Sequence, residues 1–303
     1  MDYSVIDRFA GQSGFDVRCD EPMAQHTTFK IGGPADRFIT VHNEQALAEL
    51  LKAVKDAAVP YFILGNGSNL LVSDAGYRGV VITLGGEFKE MTLEEDGCTI
   101  RCGAGAMLSA LCKFALDHSL SGLEFAWGIP GSTGGAVYMN AGAYGGEMKD
   151  VLVSASAVTA DGDLKTILAE ELDLSYRHSV FSGGTDIVTS LRMKLATADP
   201  EEIRAKMNDL MGRRRDKQPL EYPSAGSTFK RPVGYFAAAL IEQCGLKGVS
   251  VGGAQVSAKH SGFVINTGDA TAQDVLDLIA HVRRVVNEQT GVTLETEVEF
   301  LGM

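Results

Sequence analysis

The apolar positions of this chain follow two periods, one of 3.6 residues and one of two. From Glu44 to Ala58, Leu47, Leu50, Leu51 and Val54 fall on one helical face, and Asn43 stands ahead of them as an N-cap. Met107 to His118 repeats the pattern with Leu108, Leu111, Cys112 and Ala115. Thr271 to Gln289 repeats it with Val275, Leu276, Ile279, Val282 and Val286. Residues 3 to 10 read as a short amphipathic helix, and Gly234 to Cys244 is also helical. Pro200 opens another helix that runs to about Arg215. Short β-branched and aromatic runs predict strands at Arg37 to Val41, Tyr61 to Leu64, Val80 to Leu84, Phe88 to Glu94, Cys98 to Cys102, Ile187 to Leu195 and Leu294 to Leu301. Val151 to Thr159 and Leu164 to Leu168 form a hairpin that turns at Asp161-Gly162. This mixture is an α+β pattern, with a boundary at Asp199-Pro200.

Two glycine loops interrupt the periodic segments. Gly65-Asn66-Gly67-Ser68-Asn69-Leu70 follows a buried strand. It lacks the lysine of a Walker loop, and its backbone amides suit an anion nest. The run from Gly128 to Gly145 sets glycines among Ile129, Val137, Tyr138 and Met139. A flexible linker avoids such apolar side chains. The run reads as main chain laid against a flat or phosphorylated cofactor, where a Cβ would intrude. Gln218 to Pro232 is a long polar loop rich in proline, of the length that ordered functional loops have.

Composition narrows the classes. The 303 residues are 45% apolar, enough for a large core, and no run of the length of a membrane span occurs. The amino-terminal residues carry acids and no apolar signal segment, so a cytoplasmic protein is expected. A net charge of −12 argues against a nucleic-acid binder. The cations cluster late, at Arg213 to Lys217, Lys230-Arg231 and Lys259-His260, as a site for a small anionic substrate requires. Five cysteines without a zinc spacing read as reduced thiols, and no metal is expected.

Eight stretches in order resemble the UDP-N-acetylenolpyruvoylglucosamine reductase family. They are His26 to Asp36, Gly65 to Leu70, Gly128 to Gly135, Asn140 to Gly145, Tyr176 to Phe181, Pro223 to Lys230, Gly252 to His260 and Leu294 to Val298. The resemblance covers nearly the whole chain. It implies an N-terminal segment (1–28), a two-lobed FAD-binding domain of the vanillyl-alcohol-oxidase (PCMH) type (29–196) and a smaller α/β substrate-binding domain (197–303). The short segment from Tyr176 to Leu195 leaves no room for the inserted lid of the longer members, so the chain looks like the shorter, type II group.

The implied reaction moves hydride from NADPH, by way of non-covalently bound FAD, to the enolpyruvyl C3 of a UDP-sugar, while C2 takes a proton. Gly65, Asn66, Gly67, Ser68, Asn69 and Leu70, with Gly128, Ile129, Pro130, Gly131, Ser132, Thr133, Gly134, Gly135, Asn140 and Gly142, are the implied cofactor contacts. Ser227 is the implied proton donor, Arg177 the carboxylate-binding cation and Glu297 an acid toward that carboxylate. Tyr144, Lys217, Lys230, Lys259 and His260 are candidates for substrate or NADPH phosphates. The chain departs from many members at Arg231, where asparagine is common. From residues alone, Ser227 bonding its own loop and Glu297 facing outward with Glu295 and Glu299 are the plainer readings. Another flavin oxidase or dehydrogenase of the same fold, and a non-catalytic nucleotide-sugar sensor, are the competing functions.

Overall fold

The computed structural model describes residues 2–13 and 15–303. Contacts divide the chain into two compact units, each assembled from separated segments. The first holds Met1–Cys19, Arg37–Asn66 and Gly79–Arg213; the second holds Asp20–Asp36, Gly67–Arg78 and Arg214–Met303. The spatial division therefore departs from contiguous domains cut at 28/29 and 196/197.

In the first unit, Tyr61–Leu64 pairs in parallel with Val80 to Thr83. Within this unit the sheet runs in the order 16–19, 37–41, 79–84, 61–64. The helix Glu44–Asp56 buries Leu47, Leu50, Leu51 and Val54, and the Asn43 side chain accepts the Ala46 N–H, as the periodicity predicts. A five-stranded antiparallel sheet follows in the order Leu164–Leu168, Leu152–Val158, Ile187–Lys194, Thr99–Gly103, Met91–Leu93. Phe88 is not in that last strand. It sits buried in a single helical turn, Gly86–Lys89, because an apolar side chain there reaches the core without a ladder. The helix Leu108–Asp117 packs Leu108, Leu111, Cys112 and Ala115 into the same core.

The second unit is built on an antiparallel sheet in the order Ser224–Ser227, Phe263–Asn266, Ala254–Val256, Ser250–Val251. The helix Ala272–Thr290 covers it with Val275, Leu278, Ile279, Val282 and Val286. Its shorter companion is Ala237–Gln243, which starts later than Gly234 because Gly234 adopts φ 79° in the preceding loop. Early segments complete this core through Phe29, Ile31 and Leu71. Leu70–Val72 pairs in parallel with Glu299–Leu301. No helix among the described residues is long and apolar enough to cross a membrane.

Candidate active site

Within the first unit the two glycine-rich stretches meet. Asn66 donates its side-chain amide to the Pro130 carbonyl at 2.6 Å. A Cβ on Gly65 would lie 2.4 Å from Ser132 Oγ. Ser132 is buried and caps the short helix Thr133–Tyr138 by accepting the Gly135 N–H. Thr133 donates its hydroxyl to the Gly103 carbonyl at 2.7 Å. The glycines divide by cause. Gly134 lies against Ala104, Gly142 against Glu147 and Gly146 against the Phe125 ring, each too close for a Cβ. These three are explained by the chain's own packing. Gly135 and Gly145 are not, since a Cβ there meets only Ser132 Oγ at 3.3 Å or nothing within 4 Å. Among the described residues, the backbone N–H groups of Gly131 and Ser132 have no protein acceptor.

Asn140 does other work than its motif implies. It is 1% exposed with φ 40°, and its amide donates to Glu147 Oε2 at 2.7 Å and to the Ser175 carbonyl at 3.0 Å. Its Oδ1 accepts the Lys149 N–H. The side chain is spent on holding two loops. One is the hairpin of Gly142-Ala143 and Gly146-Glu147, whose tip residues Tyr144 and Gly145 have φ 54° and 87°. Positive φ at both tip positions marks a type I′ turn, unusual for a tyrosine. The other is the turn Ser175 to His178, closed by reciprocal backbone bonds and carrying Arg177 at φ 55°. The Arg177 guanidinium lies over the Tyr176 ring, 4.9 Å from its centroid. Phe181 is buried just beyond, and the chain enters the strand Ile187–Lys194 without an inserted lid.

Within the second unit, Ser227 and Glu297 are brought together. Ser224 pairs with Ile265 and Ser227 with Phe263, so the strand carries one extra residue, a bulge. Gly226 takes up the bulge at φ 76°. Thr228 is buried and locked, its N–H on the Gly262 carbonyl and its Oγ1 accepting the Val264 N–H. The Ser227 hydroxyl has no hydrogen-bond partner among the described residues, against the expectation that it serves its own loop. The Glu297 N–H donates to the Thr228 carbonyl at 2.9 Å, and the Lys230 N–H to the Glu295 carbonyl at 2.8 Å. Glu295 to Glu297 therefore runs beside Ser227 to Lys230. The regular last strand is shorter than expected, Glu299–Leu301 only, and Glu297 is less exposed than Glu295 and Glu299. The alternation that would place all three outward does not apply to this irregular segment.

The amides of Gly67, Ser68 and Asn69 also have no protein acceptor among the described residues, and Gly67 has φ 60°. Successive unpaired N–H groups around such a residue suit a pyrophosphate, so the loop fits the cofactor the sequence implies. Gly67 is required by the approach of the His26 carbonyl, 2.1 Å from where its Cβ would be. Leu70 is buried and belongs to the strand.

The candidate cations differ. Lys259 donates to the Arg215 carbonyl at 2.7 Å, at the C-terminal end of the helix Pro200–Lys217, and pairs with Glu221. There it answers the helix dipole. Lys230 is 3.9 Å from Glu295 and partly exposed, and Lys217 is exposed. His260 packs edge-on against Phe263, and burial lowers its pKa, so the ring stays neutral near pH 7. Sequence reading missed Thr28, whose N–H bonds the Gly67 carbonyl and whose hydroxyl bonds the Ser224 carbonyl at 2.7 Å. Its place in a matched stretch was the available signal.

Comparison with known proteins adds independent findings. A sequence profile of the FAD binding domain matches residues 35–168. A profile of the UDP-N-acetylenolpyruvoylglucosamine reductase C-terminal domain matches residues 218–301. The chain is 54% identical over 293 residues to the UDP-N-acetylenolpyruvoylglucosamine reductase of Agathobacter rectalis, covering 93% of each. It is 49% identical over 301 residues to that of Clostridium perfringens, covering 99% of this chain and 97% of the relative. The crystal structure of the Thermus caldophilus reductase superposes with a TM-score of 0.81 at 39% identity, over 95% of this chain and 98% of that one. A berberine bridge enzyme variant matches with a TM-score of 0.52 at 15% identity, over 65% of this chain and 44% of that one, a likeness of fold alone.

Proposed function

The chain belongs to the UDP-N-acetylenolpyruvoylglucosamine reductase family, and from that premise we propose that it reduces UDP-N-acetylglucosamine enolpyruvate to UDP-N-acetylmuramate for peptidoglycan synthesis. NADPH is the reductant, and FAD, when bound, supplies the hydride transfer to the enolpyruvyl C3. A cytoplasmic enzyme with small-molecule partners is the setting that fits these substrates.

The backbone amides of Gly67 to Asn69, and those of Gly131 and Ser132, would hold the cofactor's phosphates and ring. Asn140 would act through the loops that it fastens. Hydride arriving at C3 leaves charge on C2, spread into the adjacent carboxylate. Arg177 would bind that carboxylate with its planar fork and gain strength as charge grows there. Ser227 would deliver the proton to C2, and Glu297 would donate toward the carboxylate in its enolic form. Tyr144, Lys217 and Lys230 remain candidate contacts for substrate or NADPH. Lys259 and His260 have internal tasks.

The observation that carries this reading is the Ser227 hydroxyl. A bulge aims it, the protein gives it no partner, and its strand neighbours the Glu297 backbone. The test follows flavin absorbance without oxygen. NADPH should bleach the wild-type protein, and the enolpyruvyl substrate should restore the colour. Ser227→Ala should bleach at a near-normal rate and recover slower by about three orders of magnitude. Equal loss in both halves would end the proton-donor assignment, and bleaching of the wild type without recovery would end the substrate assignment.

A further inference from the structure

Asn69 belongs by sequence to the glycine loop, yet its side chain faces another task. Its Nδ2 donates to the Glu297 carbonyl at 3.0 Å, and its own carbonyl accepts the Glu299 N–H at 3.0 Å. These two bonds straddle Glu297 on the acceptor and donor sides of its segment. The Glu297 N–H is held separately, on the Thr228 carbonyl at 2.9 Å. The next residues, Leu70 to Val72, lie in parallel register with Glu299 to Leu301. Glu297 sits just before that ladder begins, beside the single antiparallel bridge of Phe229 and Thr296, which leaves its carbonyl on the side of Asn69. The Asn69 amide holds that carbonyl and so restrains the backbone from the second side. At the same time the Asn69 N–H is one of three successive amides without a protein acceptor. One residue thus touches both the anion-binding loop and the backbone of the acid.

We propose that Asn69 is a positioning residue for Glu297, one that fixes the acid's backbone from the loop that takes the cofactor's phosphates. The inference rests on the reading of Glu297 as an acid in the second half-reaction. Its chemistry is geometric. A carboxylic acid acts only when its proton lies within hydrogen-bond reach of the developing charge, and a small misplacement is costly. Loss of the Nδ2 donor also removes a hydrogen bond from the Glu297 carbonyl, which loosens the orientation of that peptide.

The test uses FAD-saturated protein and separates the two half-reactions. In Asn69→Ala, recovery with the enolpyruvyl substrate should slow by about tenfold or more beyond whatever change bleaching by NADPH shows. Asn69→Ser, which keeps a turn-forming residue but cannot reach the carbonyl, should do the same if the alanine variant folds poorly. The decisive measurement is the combination with Glu297→Gln. If Asn69 acts through Glu297, Asn69→Ala should slow recovery by less than about twofold in the Glu297→Gln background. The pH profile of recovery should shift in Asn69→Ala and not in Asn69→Ala/Glu297→Gln. In flavin-free protein, amide exchange over residues 295–301 should quicken in both Asn69 variants.

An equal slowing in both backgrounds would overturn the proposal, since Asn69 would then act independently of Glu297. So would weakened FAD affinity with normal recovery at saturation, which marks a cofactor contact only. If Glu297→Gln alone recovers at the wild-type rate, the acid assignment itself falls, and that outcome is distinct from the other two.

Discussion

One glycine decides where the Ser227 hydroxyl points. At φ 76° Gly226 absorbs the extra residue of the bulge, and Ser227 emerges with its oxygen unclaimed while Thr228 is locked on both sides. The cysteines show the opposite condition, side chains claimed by burial. Burial pushes the Cys102 and Cys112 thiols up to about 12. Cys98 donates to the Asp96 carboxylate, which raises its pKa too, and Cys19 is exposed. A maleimide near neutral pH should therefore label Cys19 first, with Cys102 and Cys112 labelled only on unfolding, as read by peptide mass spectrometry. Early labelling of Cys112 would mean that the helix Leu108–Asp117 opens on its own. The Ser-Ala-Gly-Ser motif was visible in the sequence, and its bulge was not, because register depends on the partner strand. At Asn140 no local pattern announces the side-chain bond to Ser175, which lies 35 positions away.

The helix Ala272–Thr290 shows how an element is finished by residues that it does not contain. Thr271 and Asp274 form a reciprocal capping box, each accepting the other's N–H at 3.0 Å. Asp74 then accepts the Ala272 and Gln273 N–H groups at 2.8 and 3.2 Å. A carboxylate there also meets the positive end of the helix dipole. Asp74→Ala should lower the unfolding free energy by about 1 kcal/mol in urea titration, and Asp74→Asn by less, because it keeps an acceptor oxygen. No change in either would mean that water replaces the carboxylate at no cost. The Asn43 cap was readable because a cap lies next to its helix, while Thr271, read as the first helical residue, is the cap of its helix. Asp74 was not readable, at 198 residues from its partner. The last strand was overread for a related reason. Residues 295 to 297 bond to backbone and to the Asn69 side chain, which breaks the period-2 pattern that the glutamates suggest.

At the scale of the molecule, the second unit borrows residues 20–36 and 67–78 from the early chain. They bring Phe29, Ile31 and Leu71 to its core and the strand Leu70–Val72 to its last strand. A fragment of residues 197–303 should therefore lack a cooperative thermal transition and show poor dispersion of its amide signals. A well-folded fragment would show that the borrowed segments are ornamental. Periodicity read along the sequence found the elements and the mixed α+β class, but the sharing of segments between the units was not readable from it, because period is a local signal.

The borrowing sets an order of events during synthesis. The segments around Phe29 and Leu71 leave the ribosome well before most of the core they join, including the helix Ala272–Thr290, and before the strand Glu299–Leu301 that pairs with Leu70–Val72. Through most of translation those apolar residues wait without their core, in the condition that chaperones and proteases recognise. A chain cut before the helix Ala272–Thr290 keeps them waiting. Synthesis of the late helix is thus the step that hides these early segments.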